Sequence, residues 1–298
     1  MNLNHKYIAY IAAVLYAFIV GLSFLIVKLA LTVADPFDTL AHRFTASFLA
    51  VSIPVLLGKI QLSFTLKDIL HILPLAVLYP ALSFWFQASG LVYTTSSEAG
   101  IILASTPIFT MFLASYFLKE KTSLLQGISL GLSVTGVIYI LVMKGISFDT
   151  SQMVGTSLLL LSSLSFAGYS VLARPLTKKF KPLELTFIML TIAFLTFNTL
   201  SLIRHSMNGT LSHYFDPLTN QVFLMSILYL GILSSLGTSW LSNYVLSKIE
   251  ASKMSVFGNL ATLISMIAGV IFLHEKLEYY HIAGAIMIIV GILGTNLL

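Results

Sequence analysis

Tyr79-Pro80-Ala81-Leu82-Ser83-Phe84-Trp85-Phe86-Gln87-Ala88-Ser89-Gly90, followed by Ser97-Glu98-Ala99-Gly100, Pro107, Leu118-Lys119-Glu120-Lys121 and Gly136, carries most of the information about the fold. Nearly the same text returns as Trp240, Asn243, Ser252, Leu273-His274-Glu275-Lys276 and Gly291. A constant separation of 155 residues relates Trp85 to Trp240, Ser97 to Ser252, Leu118 to Leu273, Glu120 to Glu275 and Gly136 to Gly291. The two tryptophans therefore hold equivalent places in two copies of one unit, and a period this long marks an internal duplication. Earlier in the chain, Gly21 and Ser23 recur as Gly168 and Ser170, and Pro36 as Pro182, with small gaps.

Composition decides what kind of unit is duplicated. Hydrophobic residues make up 57% of the chain and charged residues 9%, with a mean hydropathy of +0.95. Soluble domains carry roughly 25% charged residues, so an all-α integral membrane protein is expected. Ten apolar runs approach the length of about 20 residues needed to cross a bilayer: 7–31, 39–57, 69–91, 99–118, 123–143, 153–173, 183–203, 222–246, 254–273 and 279–298. A β-barrel would show runs of about ten residues alternating in polarity, and none is visible. The first run is too long for a signal-peptide core and is expected to stay as a helix. Absence of cysteine excludes disulfides and thiolate chemistry.

Charge sets the orientation. With a cytoplasmic N-terminus, the inner segments hold 11 of the 16 basic residues, among them Lys59, Lys119, Lys121, Arg174, Lys178 and Lys179; cytoplasmic loops carry such an excess. The net charge of +5 is assigned to this bias and not to nucleic acid. Both termini are expected in the cytoplasm, and because five is odd the second copy inserts upside down. Residues 1–146 and 147–298 are thus expected as two inverted five-helix repeats. The longest loop, 204–221, falls outside and holds a formal sequon at Asn208-Gly209-Thr210, a tripeptide common by chance. Gly127, Gly131, Gly284, Gly291 and Gly294 are small residues of the kind that let membrane helices approach closely, so the fifth and tenth helices are read as the rigid back of the bundle or as a contact with a second subunit, in a monomer or homodimer.

Ten helices in two inverted halves, Arg43 early in helix 2, the motif from Trp85 to Ser96, Pro107, Lys119-Glu120-Lys121 and the closing glycines together resemble the EamA-type drug/metabolite transporter superfamily. The resemblance spans the chain, apart from Thr262 where the second copy should carry a proline and Ser129 where the first should carry a glycine. It implies a secondary transporter, often an exporter of amino acids or other small metabolites, with a cavity between the halves.

Inverted repeats bring equivalent residues together near the midplane, where secondary transporters bind substrate. Trp85 and Trp240 are expected to line that cavity, with Gln87 and Asn243 beside them and Asn259 as a further amide; Tyr16 and Tyr169 line the path or simply pack. Arg43 either recognises a carboxylate, pairs with Glu98 or snorkels to the interface. His42 and Glu98 are candidates for ion coupling, and Lys28 is read as snorkelling. Glu120 and Glu275, at opposite faces, are read as structural, pairing with lysines or capping the next helix. No metal site, cofactor motif, phosphate loop or nucleophile elbow is present. The expected function is alternating-access transport of a small polar or amphipathic metabolite across a cell (inner) membrane, with a membrane-embedded enzyme or a passive channel as the competing readings.

Overall fold

The computed structural model describes residues 3–58, 64–120, 123–144, 150–274 and 278–297. Helices run in chain order as α1 (Leu3–Ala30), α2 (Pro36–Leu56), α3 (Leu66–Tyr93), α4 (Ser96–Leu118), α5 (Leu124–Lys144), α6 (Thr150–Lys179), α7 (Pro182–Met207), α8 (Gln221–Lys248), α9 (Ala251–Leu273) and α10 (Tyr279–Leu297). No strand occurs among the described residues. Eight of these helices are long and apolar enough to cross a membrane, while α5 and α10 offer the shorter apolar stretches Leu124–Ile140 and Tyr279–Gly291.

The helix ends follow local chemistry. Asp35 starts α2 by accepting hydrogen bonds from the Phe37 and Asp38 amides, with Pro36 in the first turn, so α2 begins earlier than the apolar run at Thr39. Thr95 and Glu98 form a capping box that opens α4. Lys119 and His274 both adopt a left-handed conformation at the C-terminal ends of α4 and α9, one duplication period apart. Two expected loops are shorter than the apolar runs suggested: α6 carries Arg174, Lys178 and Lys179 on its last turns, and α7 carries Arg204 and His205 on its own. Glu275, Lys276, Lys121 and Lys59 lie outside the described residues.

Packing pairs the first five helices with the last five. α1 lies on α8 and α9, and α6 on α3 and α4; α2 packs on α7 and α8, α7 on α3, and α5 on α10. Exchanging each helix for the one five places along maps this set of contacts onto itself. α3 and α8 share a further feature, since each is interrupted by a π-helical segment, Val77–Leu82 and Tyr229–Gly237. In α3 the backbone at Tyr79 leaves helical geometry altogether (φ −148°, ψ 124°).

The α5–α10 contact is close because it is built on glycine. A Cβ on Gly284 would stand 2.8 Å from the Gly136 carbonyl oxygen, and one on Gly291 2.5 Å from that of Ser129. Gly127 and Gly131, expected to share this role, have nothing within 4 Å of a built Cβ; they face away from α10, and Gly136 takes their place. Glu120 also differs from expectation. It caps the start of α9 rather than the helix that follows it, accepting from the Ala251 amide at 3.1 Å and the Ser252 hydroxyl at 2.7 Å.

Candidate functional site: a cavity between the broken helices

Where α3 and α8 are interrupted, a partly open cavity of about 70 Å³ lies within the bundle, room for several waters at about 10–15 Å³ each. Tyr16, Val20, Ser23 and Phe24 of α1 line it, with Tyr79, Ser83, Phe84 and Gln87 of α3, and Thr106 of α4. Ser162 and Phe166 of α6, Ser234 of α8, Met254, Ser255, Gly258, Ala261 and Thr262 of α9, and Gly100 and Leu103 of α4 complete the wall. No acidic or basic side chain is among them. The wall combines aromatic and aliphatic faces with uncharged hydroxyls and one amide, the mixture that suits a small ligand with an apolar part and a few hydrogen-bonding atoms.

Helical periodicity explains which side chains reach the cavity. Ser83, Phe84 and Gln87 stand on one face of α3, whereas Trp85 is turned about 100° from Phe84 and is half-buried against the rings of Phe37 and Phe86. Trp240 sits on the outer surface of the bundle, 46% exposed. The two tryptophans thus occupy equivalent sequence positions without lining the cavity, contrary to expectation. Gln87 and Tyr16 do line it.

Other expected site residues fall behind the wall. Tyr169 is buried and donates from its hydroxyl to Asn243 Oδ1 at 2.9 Å, and the Asn243 amide donates to Thr186 Oγ1 at 3.0 Å. This network ties α6, α7 and α8 together. Asn259 points to the rear and donates to Ser133 of α5, with its Oδ1 left unpartnered among the described residues. Thr262, standing where a proline was expected, donates to the Gly100 carbonyl of α4 at 2.6 Å.

Arg43 is the most deeply buried cation among the described residues, 1% exposed. Its Nε donates to Ser235 Oγ at 2.7 Å, and Nη2 donates to Ser234 Oγ at 3.0 Å and to the Ser234 carbonyl at 3.3 Å. Its guanidinium carbon stands 4.0 Å from the centre of the Phe84 ring, a cation–π contact. It neither pairs with Glu98 nor snorkels. Lys28 does not snorkel either, donating to the Leu91 and Thr94 carbonyls at the end of α3, each at 2.5 Å.

A second polar cluster, which the sequence did not flag, lies at the α2–α7 contact. Asp38 accepts from Ser201 Oγ at 2.5 Å, from Arg204 at 3.1 Å and from His205 Nε2 at 3.1 Å. Arg204 also pairs with Asp35; burial alone would raise the Asp35 carboxyl, but this guanidinium brings it below its ordinary value. His42 stands beside the cluster with Nε2 2.9 Å from the Tyr214 carbonyl, which can only accept, so that nitrogen carries a proton. Burial first, and then Asp38, push the Tyr214 phenol up to about 12; it stays a donor, to Asn198 at 2.6 Å. Among the described residues no group of three or more His, Asp or Glu side chains could hold a metal ion.

Comparison with known proteins agrees with this architecture. The model of the EamA-like transporter family matches residues 7–142 and again 153–297. The chain is 54% identical to the uncharacterized transporter YcxC of Bacillus subtilis, over 97% of this chain and 93% of that one. An uncharacterized transporter of Archaeoglobus fulgidus is 26% identical over 91% and 92% of the two chains. One crystal structure of a protein superposes with a TM-score of 0.73 over 100% of this chain and 98% of its own, at 15% identity, a likeness of fold alone.

Proposed function

The chain belongs to the EamA-like transporter family, and from that premise we propose that it is a secondary exporter that moves a small amphipathic metabolite, such as an amino acid, by alternating access. It is a multi-pass membrane protein. In this reading ten helices cross the inner membrane as two inverted halves, 1–146 and 147–298, with both termini in the cytoplasm. One observation carries the reading: a cavity walled by helices from both halves, aromatic and hydroxylic but without charge, beside the interruptions of α3 and α8. Secondary transporters bind their cargo beside discontinuous helices at the meeting of two repeats, and α3 is such a helix, leaving helical geometry at Tyr79. The exchange symmetry of the helix contacts supports two halves that rock about one site, and α5 with α10, locked by glycine, suits the fixed part of such a motion.

The test is a substrate screen with purified protein in proteoliposomes, with and without a pH gradient. Flux above that of protein-free vesicles for at least one amino acid or related metabolite is expected; none would remove the reading. Orientation is tested separately by reporters placed within 119–123 and within 276–278. These are expected to label from opposite sides of the membrane, and labelling from the same side would eliminate the inverted halves.

A further inference from the structure

Arg43 is a buried cation for which no described residue supplies a counter-charge. None of the ion pairs among the described residues involves it, and its hydrogen-bond partners, Ser234 and Ser235, are neutral. Charged groups deep in a membrane protein are costly and normally paired, or else belong to a substrate path. Its position favours the second alternative, because two of the groups that contact it, Ser234 and Phe84, are themselves cavity wall.

The Ser234 hydroxyl links the charge to the cavity. Its oxygen accepts from the guanidinium, and among the described residues its own proton is donated to no group. A hydroxyl that accepts from a cation becomes a stronger donor, and this one borders the void. We infer that the transported molecule carries an anionic group, a carboxylate in the simplest case, received at the Ser234 end of the cavity with Arg43 acting behind it as a positioning residue. The guanidinium does not present its fork to the ligand; it holds the serine and supplies the field. With no acid in the wall, nothing repels an anion, whereas a purely cationic ligand would meet a like charge in a low-dielectric site. Zwitterions are admitted with the carboxylate toward α8 and the apolar part against Tyr16 and Phe166.

This inference rests on the transport reading, and the experiment separates the two. Full-length protein in proteoliposomes is assayed with three probes of one shape: L-leucine, isocaproate (carboxylate without the amine) and L-leucinamide (amine without the carboxylate). Leucine and isocaproate are expected to move at least tenfold faster than leucinamide. Ser234→Ala nearly keeps the side-chain volume and leaves Nη2 of Arg43 its bond to the Ser234 carbonyl, so it is expected to erase that ratio at a modest fall in melting temperature, with a cooperative transition still showing folded protein. Arg43→Lys should keep part of the preference and Arg43→Gln should lose it. Should the Arg43 variants fail to fold, the Ser234→Ala ratio decides alone. Equal flux of leucinamide and leucine in wild type, or an unchanged ratio in Ser234→Ala, overturns the inference and leaves the transport reading standing. Where leucine itself is not moved, the same set of acid, amide and zwitterion is built on a metabolite that the substrate screen finds; a screen in which nothing moves overturns both.

Discussion

α3 and α8 descend from one duplicated segment and break at the same register, yet they do different work at the break. At the 155-residue offset, Ala76, Tyr79, Pro80 and Phe84 of α3 correspond to Gly231, Ser234, Ser235 and Ser239 of α8. On α3 the interruption is filled by aromatic rings, Tyr79 lying 5.0 Å from Phe84, 5.2 Å from Phe166 and 4.6 Å from Tyr169. On α8 it is filled by serines that receive Arg43. The partner helices differ in step, for the α7 residue equivalent to Arg43 at the 146-residue offset of the early helices is Met189. A π-helical interruption has been kept at this place in both copies, but only α3 leaves helical geometry within it, at Tyr79, and the side-chain chemistry has diverged as well, so a cavity formed by two similar halves has one aromatic side and one hydroxylic, charge-backed side. A symmetric cavity could not orient an asymmetric ligand; this one can.

The largest effect that would break the comparison is on the aromatic side. Tyr79→Ala empties a site surrounded by three rings, and large-to-small changes of this kind cost roughly 3 kcal/mol, because lost packing is not refilled by lipid. A substantial fall in melting temperature in detergent is expected; a melting temperature near that of wild type would mean that the α3 break does not rest on its rings.

A smaller effect separates the two helices at their matching small residues. Gly231 lies against α2, where a Cβ would stand 2.6 Å from Ala46 Cβ and 2.8 Å from the Arg43 carbonyl oxygen, next to the Ser47 hydroxyl that donates to the Gly231 carbonyl at 2.8 Å. Gly231→Ala should therefore push α8 from α2 at about 1–3 kcal/mol, the usual range for overpacking. The reciprocal change, Ala76→Gly, removes one methyl and adds backbone freedom, at about 1 kcal/mol. Melting curves of the two variants should rank in that order, and equal melting temperatures would show that α2 can yield at Gly231.

The smallest effect belongs to the tryptophans. Trp240→Phe changes a ring on the outer surface of the bundle and should alter stability by less than about 0.5 kcal/mol, whereas Trp85→Ala withdraws a half-buried ring from Phe37 and Phe86 and should cost more. In protein with Trp85 replaced by Phe, fluorescence from Trp240 should be quenched by brominated lipid and unmoved by any transported molecule. A response to such a molecule would bring Trp240 back to the cavity.

These contrasts also mark where sequence reading stops. Duplication, span positions and family follow from repeated text and hydropathy, since a bilayer demands long apolar helices whatever their partners. Capping residues such as Thr95 with Glu98, or Asp35 with Pro36, are equally legible because their partners lie within a turn. Rotation of each helix about its own axis is not. In a soluble helix a polar face shows which side is outside, but lipid is as apolar as a protein interior, so a span that is apolar all round gives no sign that Phe84 looks inward and Trp85 away. Arg43 could be singled out from its sequence, being a charge within a span, but its partners Ser234 and Ser235 stand 191 and 192 residues away, and only the packing of α2 on α8 brings them together. By itself the sequence determined that there are two copies of a membrane-spanning unit; the tertiary structure decided which face of each helix meets the cavity, because that choice depends on contacts between helices far apart in the chain.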